Sequence, residues 1–308
     1  MADVHTTDRP QVVFPPTPFS GGTSHGLRRA KDRLATVLVW LAFLIALLPL
    51  ASLLYTVVSK GLPAFSTQFF TYSMRNVVGD GGGVYHAIIG TVLVTAIAAI
   101  ISVPIGLLTA IYLVEYGSGQ LARWITLLVD VMTGIPSIVA GLFAYALFAL
   151  LFGEGVRMGL MGSVALSVLM IPIVVRSCEE MLKLVPNELR EAAWALGVPR
   201  WRTIVWVVLP TALAGIVTGI TLAIARIVGE TAPLLITCGI TDSVNFNPFS
   251  DRITTLPVFA FSAYATPSFP IEASQEKAWG AALILMILVM ALNLVARLIS
   301  HWFAPRTK

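Results

Sequence analysis

Long apolar segments alternate with short polar ones along most of the chain. A membrane-crossing helix needs about 20 largely apolar residues. Six segments are close to or above this length: Leu34–Val58, Val84–Val114, Leu121–Phe152, Gly159–Val175, a segment from Leu209, and Ala278–Phe303. This pattern predicts an all-α membrane protein with about six transmembrane helices.

The polar intervals divide the chain further. The second span contains Pro104, where we expect a kink, and residues 237–277 are expected to form a longer polar loop. The predicted division is a disordered cytoplasmic tail at 1–33, a first helix with an external loop at 34–83, a transmembrane domain at 84–303 with a loop at 187–210, and a cytoplasmic tail at 304–308.

Composition and charge placement support a membrane protein and not a nucleic-acid-binding one. Hydrophobic residues make up 57% and charged residues 12% of the chain, against about 45–50% and 25% in soluble domains. Of the 20 lysines and arginines, fourteen fall on the side of the two termini, five on the opposite side, and Arg226 within a span. By the positive-inside rule, both termini and the loop at 176–208 are predicted to be cytoplasmic. Cys178 and Cys238 are interpreted as buried free thiols, with no disulfide and no metal site.

The loop before the fifth span has the pattern of a short capped helix. Asn187 is suited to the N-cap, Glu188 and Glu191 suit the first turn, and Gly197 suits the left-handed position after the helix. The apolar positions of this helix are spaced three and four residues apart, so they are predicted to share one face: Leu189, Ala192, Ala193 and Leu196.

The same stretch resembles the EAA loop of ABC-importer permeases. Glu191-Ala192-Ala193, Gly197 and Leu209-Pro210 follow the spacing of that loop, with Val207 in place of isoleucine. The resemblance implies a type I (MetI-like) permease fold. It also implies that the loop couples to a separate ATPase through Glu191, Ala192, Ala193, Gly197 and Arg200.

The fifth span carries two charges, Arg226 and Glu230. A charge within the membrane costs about 2.5–3.5 kcal/mol on insertion scales, so the pair needs a reason. One interpretation is an intrahelical ion pair that neutralises itself, since the two residues are four apart. The other is a place on the path of a transported ion. The arginine-first order is the weaker one for such a pair, which favours transport.

The surrounding segment, Arg226 to Leu234, resembles the permeases of phosphate-specific (Pst) ABC importers, particularly the PstA type. Shorter matches lie at residues 134–139, 255–258 and 293–297. The resemblance implies that Arg226, Glu230 and Thr231 line a pathway for inorganic phosphate. The partners that it implies are a homologous PstC-type permease, two copies of a PstB-type ATPase and an extracytoplasmic phosphate-binding protein, in a bacterial inner membrane.

No Walker A pattern occurs in the sequence, and no Ser/His/Asp set or His-Glu-x-x-His motif. We therefore expect no enzyme activity in this chain, with ATP and Mg²⁺ bound by the partner ATPase and no cofactor bound here. Two alternatives remain: a permease for sulfate, molybdate or another solute, and a channel or secondary transporter that works without an ATPase. A membrane scaffold without transport is disfavoured by the intramembrane charges.

Overall fold

The structure, a computed structural model of the chain, describes residues 24–77 and 79–303. Twelve α-helices occur in these ranges: α1 (Ser24–Gly61), α2 (Thr67–Thr71), α3 (Tyr85–Ile111), α4 (Gly119–Thr133), α5 (Ser137–Phe152), α6 (Gly159–Lys183), α7 (Asn187–Ala195), α8 (Arg200–Thr203), α9 (Leu209–Val228), α10 (Ala232–Thr237), α11 (Leu256–Ala265) and α12 (Ile271–Phe303). A 3₁₀ turn lies at Leu62–Ala64, and π-helical turns lie at Tyr112–Tyr116 and Ile204–Val208.

Five helical segments are long and apolar enough to cross a membrane, and a bent helix pair brings the number to six. This confirms the predicted all-α membrane fold. The first helix already begins at Ser24, so the predicted tail is wrong for residues 24–33, which are rich in good helix formers such as Ala, Leu, Arg and Lys. The rest of that tail, residues 1–23, and the tail at 304–308 lie outside the described residues.

The third predicted span is not one helix. The chain breaks between α4 and α5 at Gly134-Ile135-Pro136, and the two helices make an angle of 108°. Pro136 cannot continue a helix and disfavours helical backbone in the residue before it. Pro104, in contrast, lies inside α3, which continues through it to Ile111.

The long polar loop predicted at 237–277 is also partly wrong, because it contains α11. This helix is apolar, and Leu256, Val258 and Phe259 are buried against the bundle. The backbone N–H of Leu256 donates to Thr91 Oγ1 on α3 at 2.7 Å, which satisfies a donor at the first turn of the helix.

Two units can be distinguished in the chain, residues 1–55 and 56–308. In the first, every described side chain from Arg29 to Tyr55 is exposed, as expected for a helix surrounded by lipid. In the second, α6 is the central helix and packs along α3, α9 and α5. Ser163 Oγ donates to the Val94 carbonyl of α3 at 3.0 Å, a polar contact of the kind that joins helices in membranes.

Gly215, Gly219 and Ala223 recur every four residues along α9, a stripe of small residues whose spacing predicts close packing against a neighbouring helix. The two glycines bring α9 close to α6. A Cβ at Gly219 would lie 2.7 Å from Ser177 Cβ, and one at Gly215 would lie 2.3 Å from Met181 Sδ. Ala223 is fully buried. The stripe therefore serves helix packing.

We expect Gly219→Val to destabilise the protein by about 1–3 kcal/mol, because the added side chain overpacks the α6–α9 contact. The measurement is the thermal unfolding midpoint of the purified protein in detergent. Leu213→Val, at an exposed position of α9, is the matched control and should unfold close to the wild type. Equal midpoints for Gly219→Val and wild type would contradict the packing account.

Candidate functional site

Arg226, which is exposed, and Glu230, which is half-buried, both line a cavity of about 200 Å³ that opens to the surface of the helical unit. Its other walls come from the α4–α5 break and from the middle of α6: Met132, Thr133, Ile135, Ser137, Leu169, Pro172 and Ile173. Charged, hydroxyl and apolar groups therefore meet in one small space. Thr231 follows Glu230 directly and precedes α10, but its side chain is not among those that line the cavity.

The cavity lies where three helices are interrupted or carry a proline. α4 stops at Thr133 and α5 starts at Ser137. α9 ends at Val228, and Pro233 lies in the first turn of α10. Pro172 within α6 leaves the carbonyl of Val168 without its usual helical donor. In a bilayer such interruptions are tolerated only where protein or water covers the freed polar groups, so these breaks define a polar interior.

The intrahelical pair between Arg226 and Glu230, the interpretation that the sequence disfavours, is not formed in the part of the chain that the structure describes. Glu230 lies beyond the end of α9, and its backbone N–H donates to the Ile227 carbonyl at 3.1 Å. The break after Val228 turns Glu230 off the helical face of Arg226. Neither side chain forms an ion pair within residues 24–77 and 79–303. Self-neutralisation therefore does not account for the two charges.

The start of α5 adds a second feature that suits an anion. The first backbone N–H groups of a helix have no partner within the helix, and its N-terminus carries a partial positive charge. Ser137, the first residue of α5, lies in the cavity wall. The wall thus combines a guanidinium, a helix N-terminus and the hydroxyls of Thr133 and Ser137.

A chain of ion pairs fixes α4 to α6 one turn away from this cavity. Arg176 on α6 pairs with Asp130 on α4, and its Nη1 lies 2.8 Å from Glu179 Oε2. Lys183 Nζ lies 2.7 Å from the other oxygen of Glu179. Because Asp130 precedes the cavity residues Met132 and Thr133 by less than one turn, these pairs hold the end of α4 in place.

The loop between α6 and α9 forms α7 and α8, and its turn matches the sequence prediction in part. Gly197 has φ +78° and its N–H donates to the Trp194 carbonyl at 2.9 Å, which confirms the predicted end of α7. The predicted N-cap is wrong: Pro186 precedes the helix and Asn187 is its first residue. The side-chain oxygen of Asn187 does not cap the helix, but accepts a hydrogen bond from Arg190 Nη1 at 3.1 Å.

Arg190 anchors this loop to the bundle. Its guanidinium Nη2 lies 2.9 Å from Glu115 Oε1, in the π-helical turn after α3. It also donates to the carbonyls of Val185 and Leu182, at 2.6 and 3.0 Å. The side chains of Arg190 and Glu115 are only 9% and 8% exposed. A buried pair with this many hydrogen bonds fixes the position of α7 relative to α3 and α6.

The anchor leaves an apolar face of α7 uncovered. Of the four predicted apolar positions, Ala193 is buried, whereas Leu189, Ala192 and Leu196 are exposed, Leu196 by 84%. Trp194 and Trp201 are exposed beside them, and Arg200 lies over the Trp194 ring at 5.6 Å. Glu191 is exposed too. Contiguous exposed apolar surface of this kind marks an interaction site.

Sequence reasoning missed several of these residues. Arg190 counted only as a basic residue of the loop, and Glu115 only as part of a short connection, because 75 positions separate them. The available signal was the pairing of opposite charges at the ends of two apolar spans. Asp130 is a charged residue within the apolar third span, which was a similar signal. For Thr133 and Ser137 the sequence offered no signal other than Pro136 beside them.

A multispan helical bundle with unpaired charges in a cavity between its helices and an exposed amphipathic loop helix is the arrangement expected of a membrane transport permease. The profile of the family described as binding-protein-dependent transport system inner membrane component matches residues 102–308. Phosphate transport system permease protein PstA 1 of Mycobacterium tuberculosis (strain CDC 1551 / Oshkosh) is 46% identical over 88% of this chain and 89% of its own length. Phosphate transport system permease protein PstA of Mycobacterium leprae is 44% identical over 95% of this chain and 94% of its own length. The chain therefore belongs to this family and, within it, to the PstA-type permeases.

Solved structures agree on the fold. One is a chain of the MetNI methionine ABC transporter in an inward-facing conformation, with a TM-score of 0.54 and 20% sequence identity. The match covers 72% of the present chain and 94% of the MetNI chain. A chain of a bacterial alginate ABC transporter has a TM-score of 0.65 at 12% identity, and the match covers 92% of the present chain and 99% of the alginate-transporter chain. The chain thus has the fold of type I ABC importer permeases, as its loop pattern predicts.

We expect Arg190→Met to lower stability by about 3–5 kcal/mol, because it leaves Glu115 buried without its partner. The double variant Arg190→Met with Glu115→Leu should recover most of this loss, since an apolar pair replaces the buried charges. Thermal unfolding in detergent measures both. The ion pair would not be the anchor if Arg190→Met unfolded like the wild type, or if the double variant were as unstable as the single one.

Proposed function

We propose that this chain is the membrane-spanning permease subunit of an ATP-driven phosphate importer, with Arg226 as the principal contact for the anion. The observation that carries the assignment of the site is that Arg226 lines the cavity at the α4–α5 break together with Glu230 and forms no ion pair among the described residues. Relatives named as phosphate transport permeases, at 44–46% identity over most of the chain, support phosphate as the cargo.

The chemistry of the cavity suits a tetrahedral oxyanion. Arginine stays charged and presents a planar fork of donors that binds two oxygens of a phosphate at once. The N-terminal N–H groups of α5 and the hydroxyl of Ser137 supply further donors, whereas the hydroxyl of Thr133 donates to the Val129 carbonyl at 2.9 Å. One cation lowers the barrier for an anion, whereas several at the same point would hold it too tightly for release.

Glu230 faces the same cavity as Arg226 and has two candidate roles. It orients the guanidinium, or it accepts the proton that phosphate carries near neutral pH and that sulfate lacks. The second role gives selectivity for phosphate over sulfate. Thr231 continues the pathway at the start of α10, with its hydroxyl as a neutral contact for the anion as it leaves the cavity.

The exposed face of α7 is proposed to dock on the ATPase. Leu189, Ala192 and Leu196 supply an apolar surface, and Glu191 and Arg200 flank it with charge. Ala193 and Gly197 act indirectly, by packing α7 onto the bundle and by ending the helix. In this arrangement ATP and Mg²⁺ are bound by the partner ATPase, so the chain needs no cofactor of its own.

A complete importer of this type contains a PstC-type permease beside this chain, two PstB-type ATPases and an extracytoplasmic phosphate-binding protein. The charge distribution supports a cytoplasmic position for both termini and for α7. The alternative of an ATPase-independent channel or secondary transporter leaves the exposed face of α7 without a partner, and is tested by uptake in complexes assembled with and without the ATPase.

We expect Arg226→Gln to assemble normally and to lower phosphate uptake at least tenfold, the equivalent of about 1.4 kcal/mol or more for a lost charge-assisted contact. The readout is uptake of labelled phosphate by the full complex in proteoliposomes, together with the yield of complex. Arg123→Gln removes an exposed cation of α4 and is the control, with uptake near the wild type. A variant that fails to assemble would indicate a structural role for Arg226.

Glu230→Gln tests the proton-accepting role. If Glu230 takes the phosphate proton, this variant should lose phosphate uptake and weaken the discrimination against sulfate and molybdate, measured by competition with labelled phosphate. Unchanged uptake and unchanged competition would contradict that role. Strong competition by sulfate or molybdate in the wild type would favour the alternative of a permease for another oxyanion.

A further inference from the structure

Arg157 and Arg252 converge at the end of the bundle opposite to α7. Arg157 lies just before α6, whose 25 residues separate it from the α7 end by roughly 37 Å of helix. Arg252 belongs to the segment that leads to α11. Their side chains meet over Gly239, because a Cβ placed there would lie 3.0 Å from Arg157 Cδ and 3.2 Å from Arg252 Cδ.

The backbone around the two arginines is held by hydrogen bonds from several directions. The N–H of Met158 donates to the Thr237 carbonyl at 3.3 Å, and the N–H of Ile253 donates to the Cys238 carbonyl at 3.2 Å. Thr254 Oγ1 donates to the Thr241 carbonyl at 2.7 Å. The neighbours of each arginine are therefore bonded to the strip on either side of Gly239, which places the two arginine backbones on opposite sides of it.

Gly239 makes this convergence possible. Its φ of +73° is a conformation that residues with a Cβ rarely adopt, and any side chain there would occupy the space taken by the two arginine stems. The position is thus one where both the backbone conformation and the absence of a side chain bring two cations together.

The pair lacks a neutralising carboxylate. Neither arginine forms an ion pair within the part of the chain that the structure describes, and both are exposed. Asp251 directly precedes Arg252 but forms no ion pair with it. Asp242, in the same loop, has its pKa raised by partial burial, whereas a carboxyl held by two guanidinium groups would have its pKa lowered. Two adjacent like charges without an anion between them repel each other.

From these contacts we infer that Arg157 and Arg252 form a second oxyanion site, which receives phosphate before it reaches the cavity of Arg226. Two guanidinium forks match the four oxygens of one phosphate group. The position fits this order, since α10, six residues or about 9 Å long, starts next to Glu230 and ends next to Gly239. This inference rests on the proposed function, because it assumes that phosphate moves towards the α7 end.

The same chemistry could also take the phosphate of a lipid headgroup, and an acidic face of the binding protein is a different partner for two exposed cations. The convergence on one glycine favours a small anion over a broad protein surface, because the stems of both arginines meet within one residue's width. The experiment therefore has to separate free phosphate, lipid phosphate and an acidic protein.

The test uses the full complex with Arg157→Gln, Arg252→Gln and both together. We expect the double variant to lower the phosphate uptake rate about tenfold at saturating binding protein, with normal assembly and unchanged basal ATP hydrolysis. In an Arg226→Gln background, which removes the inner contact, it should also abolish binding of inorganic phosphate to the complex without the binding protein. Arg157→Lys with Arg252→Lys keeps the charges and loses the forks, so its uptake should be intermediate.

Arg75→Gln is the matched control, because Arg75 is another exposed arginine without an ion pair among the described residues. It should leave uptake unchanged. Three results in the double variant would overturn the inference. The first is unchanged phosphate binding and uptake. The second is a raised half-saturating concentration of binding protein with an unchanged maximal rate, which indicates protein docking, and the third is loss of co-purified phospholipid with unchanged phosphate binding, which indicates a lipid site. A wild-type complex that imports no phosphate would instead refute the proposed function.

Discussion

A helix in a bilayer can be interrupted only where protein or water takes over the hydrogen bonds that the break sets free. This constraint explains why the breaks of this chain lie together. The α4–α5 break, the end of α9 at Val228 and Pro172 of α6 all border one cavity, and the two unpaired charges Arg226 and Glu230 face it. The breaks and the unpaired charges thus share one place in the bundle, where protein or water has to cover them.

The helix α6 joins this cavity to the loop that carries α7. Pro172 lines the cavity, Arg176 pairs with Asp130 of α4, and the Leu182 carbonyl accepts a hydrogen bond from Arg190. A movement of α7 therefore acts on a single rigid helix that reaches the cavity wall within about three turns. The buried Arg190–Glu115 pair adds α3 to the same unit, so that α7 cannot shift without displacing the helices around it.

The features that could be predicted from the sequence are those that depend on residues close together in the chain. The end of α7 at Gly197 and the glycine stripe of α9 follow from short-range spacing, and the loop motif indicated the fold. Longer-range features were out of reach. The third span is apolar throughout, so hydropathy gives no sign that Pro136 breaks a helix while Pro104 does not. Whether Arg226 and Glu230 form an ion pair depends on whether α9 continues past Gly229, which the sequence does not show. The contact between Glu115 and Arg190 depends on tertiary packing.

The central claim is that α7 presents its exposed face to a cytoplasmic ATPase. The most direct test labels Leu196→Cys, in a background where Cys178 and Cys238 are replaced by alanine, with a membrane-impermeant maleimide. Both native cysteines are buried and unpaired, so the new thiol is the one that reports. We expect labelling in inside-out vesicles, protection when the ATPase is assembled, and no labelling in intact cells. Labelling of this position in intact cells would contradict the account.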